Sequence, residues 1–193
     1  SRVFLLTFFV SGVASLIATA DLLASRKTAP KRTVVFIAFY GEEVGLLGSR
    51  YYAAHPIFPL ASTVAQINFE QTGRTDDLQG PNIGTLNVTG YRYSEVASIL
   101  AAAASRYGVN VTERPKWTDE AFARSDNEAL ATPGIPAHTV STAYMFPDYH
   151  KPGDEWQKLD YDNMARVTAA AAAGILALAN RANPPHWYAG APE

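Results

Sequence analysis

Thr33-Val34-Val35-Phe36-Ile37-Ala38-Phe39 is an unbroken apolar run rich in β-branched and aromatic residues, and it leads into Tyr40-Gly41-Glu42-Glu43. Such a run suits a central strand buried on both faces of a sheet. Gly41 ends the strand. Glu42 and Glu43 open a helix expected to reach about Ala54, with Val44, Leu47 and Tyr51 on one apolar face. His55-Pro56 stops it.

Before this block, residues from about Ser11 to Ala24 read as an Ala- and Leu-rich helix, joined to the strand by a polar connector containing Pro30. The apolar stretch Val3 to Ala20, behind Arg2, is open to three readings: a leftover export signal, a buried helix or a membrane span. Ser11 and Gly12 interrupt it while Leu16, Leu22 and Leu23 continue it, which favours the buried helix. After the block, Val64 to Phe69 is a second strand ending at Glu70, and Thr85 to Thr89 a third. Tyr93 to Tyr107 is an alanine-rich helix closed by Gly108. Residues Val109 to Asn127 read as irregular, with Pro115 inside. Ile135 to Ser141 is a fourth strand, followed by a loop leading to His150. A long helix spans about Asp162 to Ala182, and residues 183–193 form a loosely ordered tail. Alternating strands and helices predict an α/β fold: three layers, α/β/α, around a mainly parallel mixed sheet. The 193 residues fit one domain.

A formal net charge of -2, without a basic stripe, argues against nucleic acid and against an acidic lipid surface as partners. The chain has no cysteine, so thiolate metal sites, disulfides and cysteine nucleophiles are excluded. Any metal must be held by His, Asp or Glu.

Sites in open α/β sheets form beyond the carboxyl ends of the strands. Three such ends carry metal-competent groups: Glu42 and Glu43, then Glu70, then His150. Each has a plain alternative. Two glutamates opening a helix are favourable against its positive end in any protein. Glu70 alone could be a solvated strand-end residue, and His150 one loop histidine among four. His55, His138 and His186 are assigned no role. Together, the carboxylates and the imidazole suit zinc. An adjacent Glu-Glu can divide the work, one residue binding metal and the other accepting a proton.

The segment Thr33 to Tyr52 resembles the core block of the zinc-dependent aminopeptidases of the bacterial leucyl aminopeptidase type, peptidase family twenty-eight. Three further blocks are similar and in order: Ile67-Asn68-Phe69-Glu70; Arg124-Ser125-Asp126 with Gly134-Ile135-Pro136-Ala137; and Tyr149-His150-Lys151-Pro152-Gly153-Asp154. The resemblance implies a zinc exopeptidase-like fold and a pair of zinc ions. Glu42 would be the general base acting on a metal-bridging water, Glu43 and His150 would bind one zinc and Glu70 the other. It implies hydrolysis of N-terminal residues from peptides with a free N-terminus, by a secreted or periplasmic protein with no stable membrane span.

The chain departs from the family pattern at its start. Ser11-Gly12-Val13-Ala14 fits the end of the family's Gly-Ala-Asp-Asp-Asn-Ala-Ser-Gly-Val block, which places the bridging aspartate at Thr7 and its neighbour at Phe8. Residues 1–10 are not family-like, and the first histidine ligand would fall before Ser1. This implies a domain incomplete at its N-terminus, weak or inactive as it stands. A non-catalytic binding or receptor-like relative on the same scaffold is the alternative, and a one-metal cyclising acyltransferase a third reading. Glu70 replaces the usual aspartate, and Lys151 a common threonine, putting a positive charge beside His150.

Overall fold

The computed structural model describes residues 10–114 and 120–191. Thr7, Phe8 and Pro115 lie outside them. The elements in order are α1 (Val10–Ala24), α2 (Leu47–Ala54), β1 (Gln66–Phe69), β2 (Thr85–Val88), α3 (Val96–Ala104), β3 (Asn110–Thr112), α4 (Glu128–Ala131), β4 (Ala137–Ser141) and α5 (Tyr161–Asn180). The strands form one mixed sheet in the order β1-β4-β2-β3. β1 runs parallel to β4 and β2 parallel to β3, while β2 and β4 meet antiparallel in the middle. The α/β class and mainly parallel sheet expected from the sequence are therefore present.

Side-chain alternation along β4 separates the two faces. Val140 joins Phe69, Leu86 and Val88 in the main core, packed against Leu100 of α3 and Val167 and Ala171 of α5. Ala137, of opposite parity, joins a smaller cluster with Leu130 and Ile135, covered by Tyr52 and Ala53 of α2. Each fully buried Val or Leu in the main core stabilises the fold by about 1.5–3 kcal/mol relative to exposure. The Asp160 carboxylate caps α5 by accepting from the Asn163 N–H at 2.9 Å. Gly12 sets how closely α1 lies on the sheet, because a Cβ there would collide with the Phe69 carbonyl.

Three expectations need correction. Thr33–Phe39 is not a strand: among the described residues its backbone makes no ladder. A ladder needs a neighbour about 4.8 Å away. This segment instead borders a cleft of about 480 Å³, whose lining includes Val34, Phe36 and Ile37 together with Val64, Ala65 and Ile67. The helix expected over residues 42–54 is broken. Glu42–Val44 is a 3-10 turn, and Gly45 (φ 105) and Leu46 (φ 58) interrupt the chain before α2. Val44, Leu47 and Tyr51 are exposed, so they form no buried face. Third, the region read as irregular contains β3, too short to signal itself by periodicity.

The tail read as loosely ordered is tied down at residues 186–188. Glu95 N–H donates to the His186 carbonyl (3.2 Å), Tyr188 N–H to the Tyr93 carbonyl (2.7 Å), and Trp187 Nε1 to the Gly134 carbonyl (2.9 Å). An indole packed 5.3 Å from the His138 ring explains why this stretch docks. No helix among the described residues is long and apolar enough to cross a membrane.

Candidate active site

The Gly-Glu-Glu turn is shaped by its glycines. Gly41 adopts φ 71, and its carbonyl accepts from the Leu47 N–H at 3.2 Å. Gly48 donates to the Tyr40 carbonyl at 2.8 Å, and a Cβ there would lie 2.6 Å from the Tyr40 nitrogen. Only glycine allows α2 to start this close to the end of the apolar segment. The turn leaves Glu42 half-buried and Glu43 exposed.

His150 Nε2 lies 2.7 Å from Glu43 Oε1, although the two residues sit on loops far apart in sequence. The His150 ring stacks on Tyr149, centroids 4.0 Å apart. His150 (φ 57) and Gln71 (φ 48), the residue after Glu70, are two of the three described non-glycine residues in the left-handed region. Such conformations persist only where surrounding contacts impose them. Lys151, suspected of perturbing this region by its charge, has its Nζ donating to the Pro147 carbonyl at 2.7 Å.

Glu70 is held from below by a polar network. Ser125 Oγ donates to Glu70 Oε1. Asn68 Nδ2 contacts Ser125 Oγ at 2.7 Å, Thr139 Oγ1 at 3.0 Å and Glu70 Oε1 at 3.4 Å. Beside it, Asp126 Oδ1 accepts from Ser49 Oγ of α2 at 2.6 Å. Glu42, Glu70 and Asp126 line one small cavity of about 60 Å³.

The carboxylates feel one another. Burial, followed by the charges of Glu70, Glu43 and Asp126, pushes Glu42 up to about 8. Burial lifts Glu70 to about 7, against the downward pull of the Ser125 and Asn68 hydrogen bonds. Burial, with added repulsion from Glu43, Glu70 and Glu42, pushes the Tyr149 hydroxyl up to about 12. A cation at such a place would favour the ionised forms.

The four residues singled out from the sequence thus lie at one rim, but only Glu43 and His150 touch. Two donors on one zinc at about 2.0–2.2 Å lie roughly 3–3.5 Å apart. The 2.7 Å pair therefore fits two positions on one ion after slight opening. Among the described residues, no group of three or more His, Asp or Glu side chains is gathered closely enough to hold a metal. Glu70 touches neither Glu43 nor His150 and shares its small cavity with Glu42 and Asp126.

The other histidines stay out of the site. His138 is fully buried in β4, its Nδ1 2.8 Å from the Thr89 carbonyl and its Nε2 2.6 Å from Ser94 Oγ. His55 Nδ1 lies 3.2 Å from the Tyr51 carbonyl, and His186 pairs with Glu95. The sequence reading assigned nothing to Asp126 or to the Ser125 hydroxyl. The Ser125-Asp126 pair was visible, but its partners lie 55 and 77 residues away and become neighbours only in the fold.

The model of peptidase family M28 matches residues 10–175. Among solved structures, the chain is similar to an aminopeptidase from Aneurinibacillus sp. strain AM-1, with 28% identity, a TM-score of 0.68, and coverage of 86% of this chain and 37% of that one. It is similar to the LapA aminopeptidase of Legionella pneumophila, with 27% identity, a TM-score of 0.75, and coverage of 90% and 45%. It shares the fold of BSAP, a zinc aminopeptidase from Bacillus subtilis, at 22% identity and a TM-score of 0.71, covering 86% of this chain and 40% of that one. The chain thus spans less than half the length of these relatives. Among curated proteins, none matches.

Proposed function

The chain belongs to peptidase family M28, and on that premise we propose that the protein is an exopeptidase that removes N-terminal residues from peptides. The observation that carries this reading is the Glu43–His150 pair, 2.7 Å apart, at the same rim as half-buried Glu42. Glu43 and His150 would hold one zinc and Glu70 would contribute to a second position. Zinc, when bound, supplies Lewis-acid polarisation of the scissile carbonyl and of the attacking water. Glu42 accepts the proton released as water oxygen bonds to the carbonyl carbon, then returns it to the leaving amine as the C–N bond breaks. Ser125 and Asn68 hold Glu70 in place throughout. A substrate's free N-terminal ammonium would find favourable charge at this acidic rim.

The ligand set among the described residues is partial, and Thr7 and Phe8 stand where the resemblance calls for aspartates. We therefore expect residues 1–193 alone to bind zinc weakly and to cleave slowly. The test is hydrolysis of leucyl peptides by zinc-supplemented and chelator-treated chain, with Glu42→Gln alongside. Slow cleavage that a chelator stops and Glu42→Gln abolishes supports the reading. Cleavage indifferent to both sinks it. The partial set also favours a second reading, a binding domain that no longer hydrolyses. That domain would bind peptides with a free N-terminus and show no turnover at any zinc concentration.

A further inference from the structure

Arg74 takes no part in the chemistry above, yet its surroundings are unusual. Its side chain is only 4% exposed, and it carries a charge that burial penalises unless it is fully paired. The pairing comes from two loops. From its own loop, Asp76 takes a two-point contact, Arg74 Nε to Oδ1 at 2.8 Å and Nη2 to Oδ2 at 2.6 Å. The other partners come from the loop that carries His150. Arg74 Nη1 donates to Asp154 Oδ1 at 2.8 Å, Nη2 lies 3.5 Å from Asp148 Oδ2, and the guanidinium sits 4.4 Å over the Phe146 ring. Lys158 Nζ holds Asp148 from the other side at 2.6 Å.

These contacts bracket His150 on both sides in sequence. Phe146 and Asp148 precede it and Asp154 follows. Between them the loop is a tight series of turns, with Tyr149 N–H on the Phe146 carbonyl (3.0 Å), Lys151 on Asp148 (2.8 Å) and Asp154 on Lys151 (3.0 Å). His150 sits in the middle at φ 57, a conformation that needs outside support. Arg74 itself stands four residues after Glu70 and is anchored where Thr142 Oγ1 donates to its carbonyl at 2.6 Å.

We propose that Arg74 is a positioning residue: its planar fork and ring contact fasten the His150 loop to the loop following Glu70, and so hold the His150 imidazole against Glu43. The inference deepens the peptidase reading and rests on it for the purpose of the clamp, though not for its existence. A planar, always-charged fork reaching two carboxylates at once is a task lysine does not perform. Asp76 serves to neutralise the guanidinium, while Asp154 transmits its position to the His150 loop.

The test compares Arg74→Met and Asp154→Asn with Asp76→Asn in the full chain. The ¹⁵N imidazole spectrum is recorded first, with His150→Asn identifying the His150 signals. Zinc affinity is then measured by titration. Arg74→Met and Asp154→Asn are expected to shift or broaden the His150 resonances and to weaken zinc binding by about tenfold, the usual effect of losing an outer-shell support. Asp76→Asn is expected to leave both close to wild type. Unmoved His150 resonances in Asp154→Asn, or equal effects in Asp154→Asn and Asp76→Asn, overturn the proposal. If Arg74→Met fails to fold, the two aspartate variants decide alone. If the wild-type chain takes up no zinc, the peptidase reading fails, and the imidazole spectra still decide whether Arg74 positions His150.

Discussion

Glu42 and Glu70 are carboxyls kept partly protonated at neutral pH, first by burial and then by neighbouring carboxylates: Glu70, Glu43 and Asp126 act on Glu42, and Asp126 and Glu43 on Glu70. Their folded values, about 8 and about 7, lie above the ordinary 4.5. Between 4.5 and 8 the folded chain therefore binds more protons than the unfolded one. By linkage, the stability of the metal-free chain falls as pH rises through that window. Thermal melts in a chelator should show this decline, and Glu42→Gln should flatten it. His138 works in the opposite direction. Burial depresses it from 6.5 to about 4, outweighing the Thr89 hydrogen bond, so the folded state keeps it neutral and loses stability as pH falls below 6.5. Its imidazole signals should stay in the neutral form down to about pH 4; titration near 6.5 would contradict the buried environment. Glu42, Glu43 and His150 could be singled out as candidates in the sequence because a Gly-Glu-Glu turn after an apolar run and a Tyr-His loop are local signals. Arg74 and Asp126 were not, since their meaning lies in partners 80 and 77 residues distant.

At the level of elements, apolar periodicity and glycine placement located α1, α3, α5, β1, β2 and β4 to within a few residues at most ends. They failed where a partner decides the outcome. Thr33–Phe39 has the composition of a buried strand, but composition supplies no neighbour, and the segment faces a cleft instead. Val44, Leu47 and Tyr51 have helical spacing, yet left-handed Gly45 and Leu46 break the helix and leave all three side chains exposed. The seating of α1 on β1 gives a test at this scale. In Gly12→Ala the new methyl meets the Phe69 carbonyl, a backbone group that cannot swing away. Overpacking of this kind costs about 1–3 kcal/mol and outweighs the helix-propensity gain of about 1 kcal/mol or less near a helix end, so a net loss of roughly 1–2 kcal/mol is expected. A denaturant titration that finds the variant as stable as wild type would show that α1 sits further from the sheet.

Across the whole molecule, the sheet separates two tasks. Its one face carries the main core with α3 and α5, where Val88, Val96, Leu100, Val140 and Val167 are buried almost completely. Its other face carries the Asn68–Thr139–Ser125 polar network that supports Glu70, close to α2 and α4. The rim beyond β1 and β4 gathers Glu42, Glu43, Glu70 and His150 onto this frame. The most direct check of that arrangement is zinc titration of the purified chain, compared with Glu43→Gln and His150→Asn under the same conditions. The account predicts weak binding in the wild-type chain that both substitutions remove. Zinc bound equally well by all three proteins would place the metal elsewhere and contradict it.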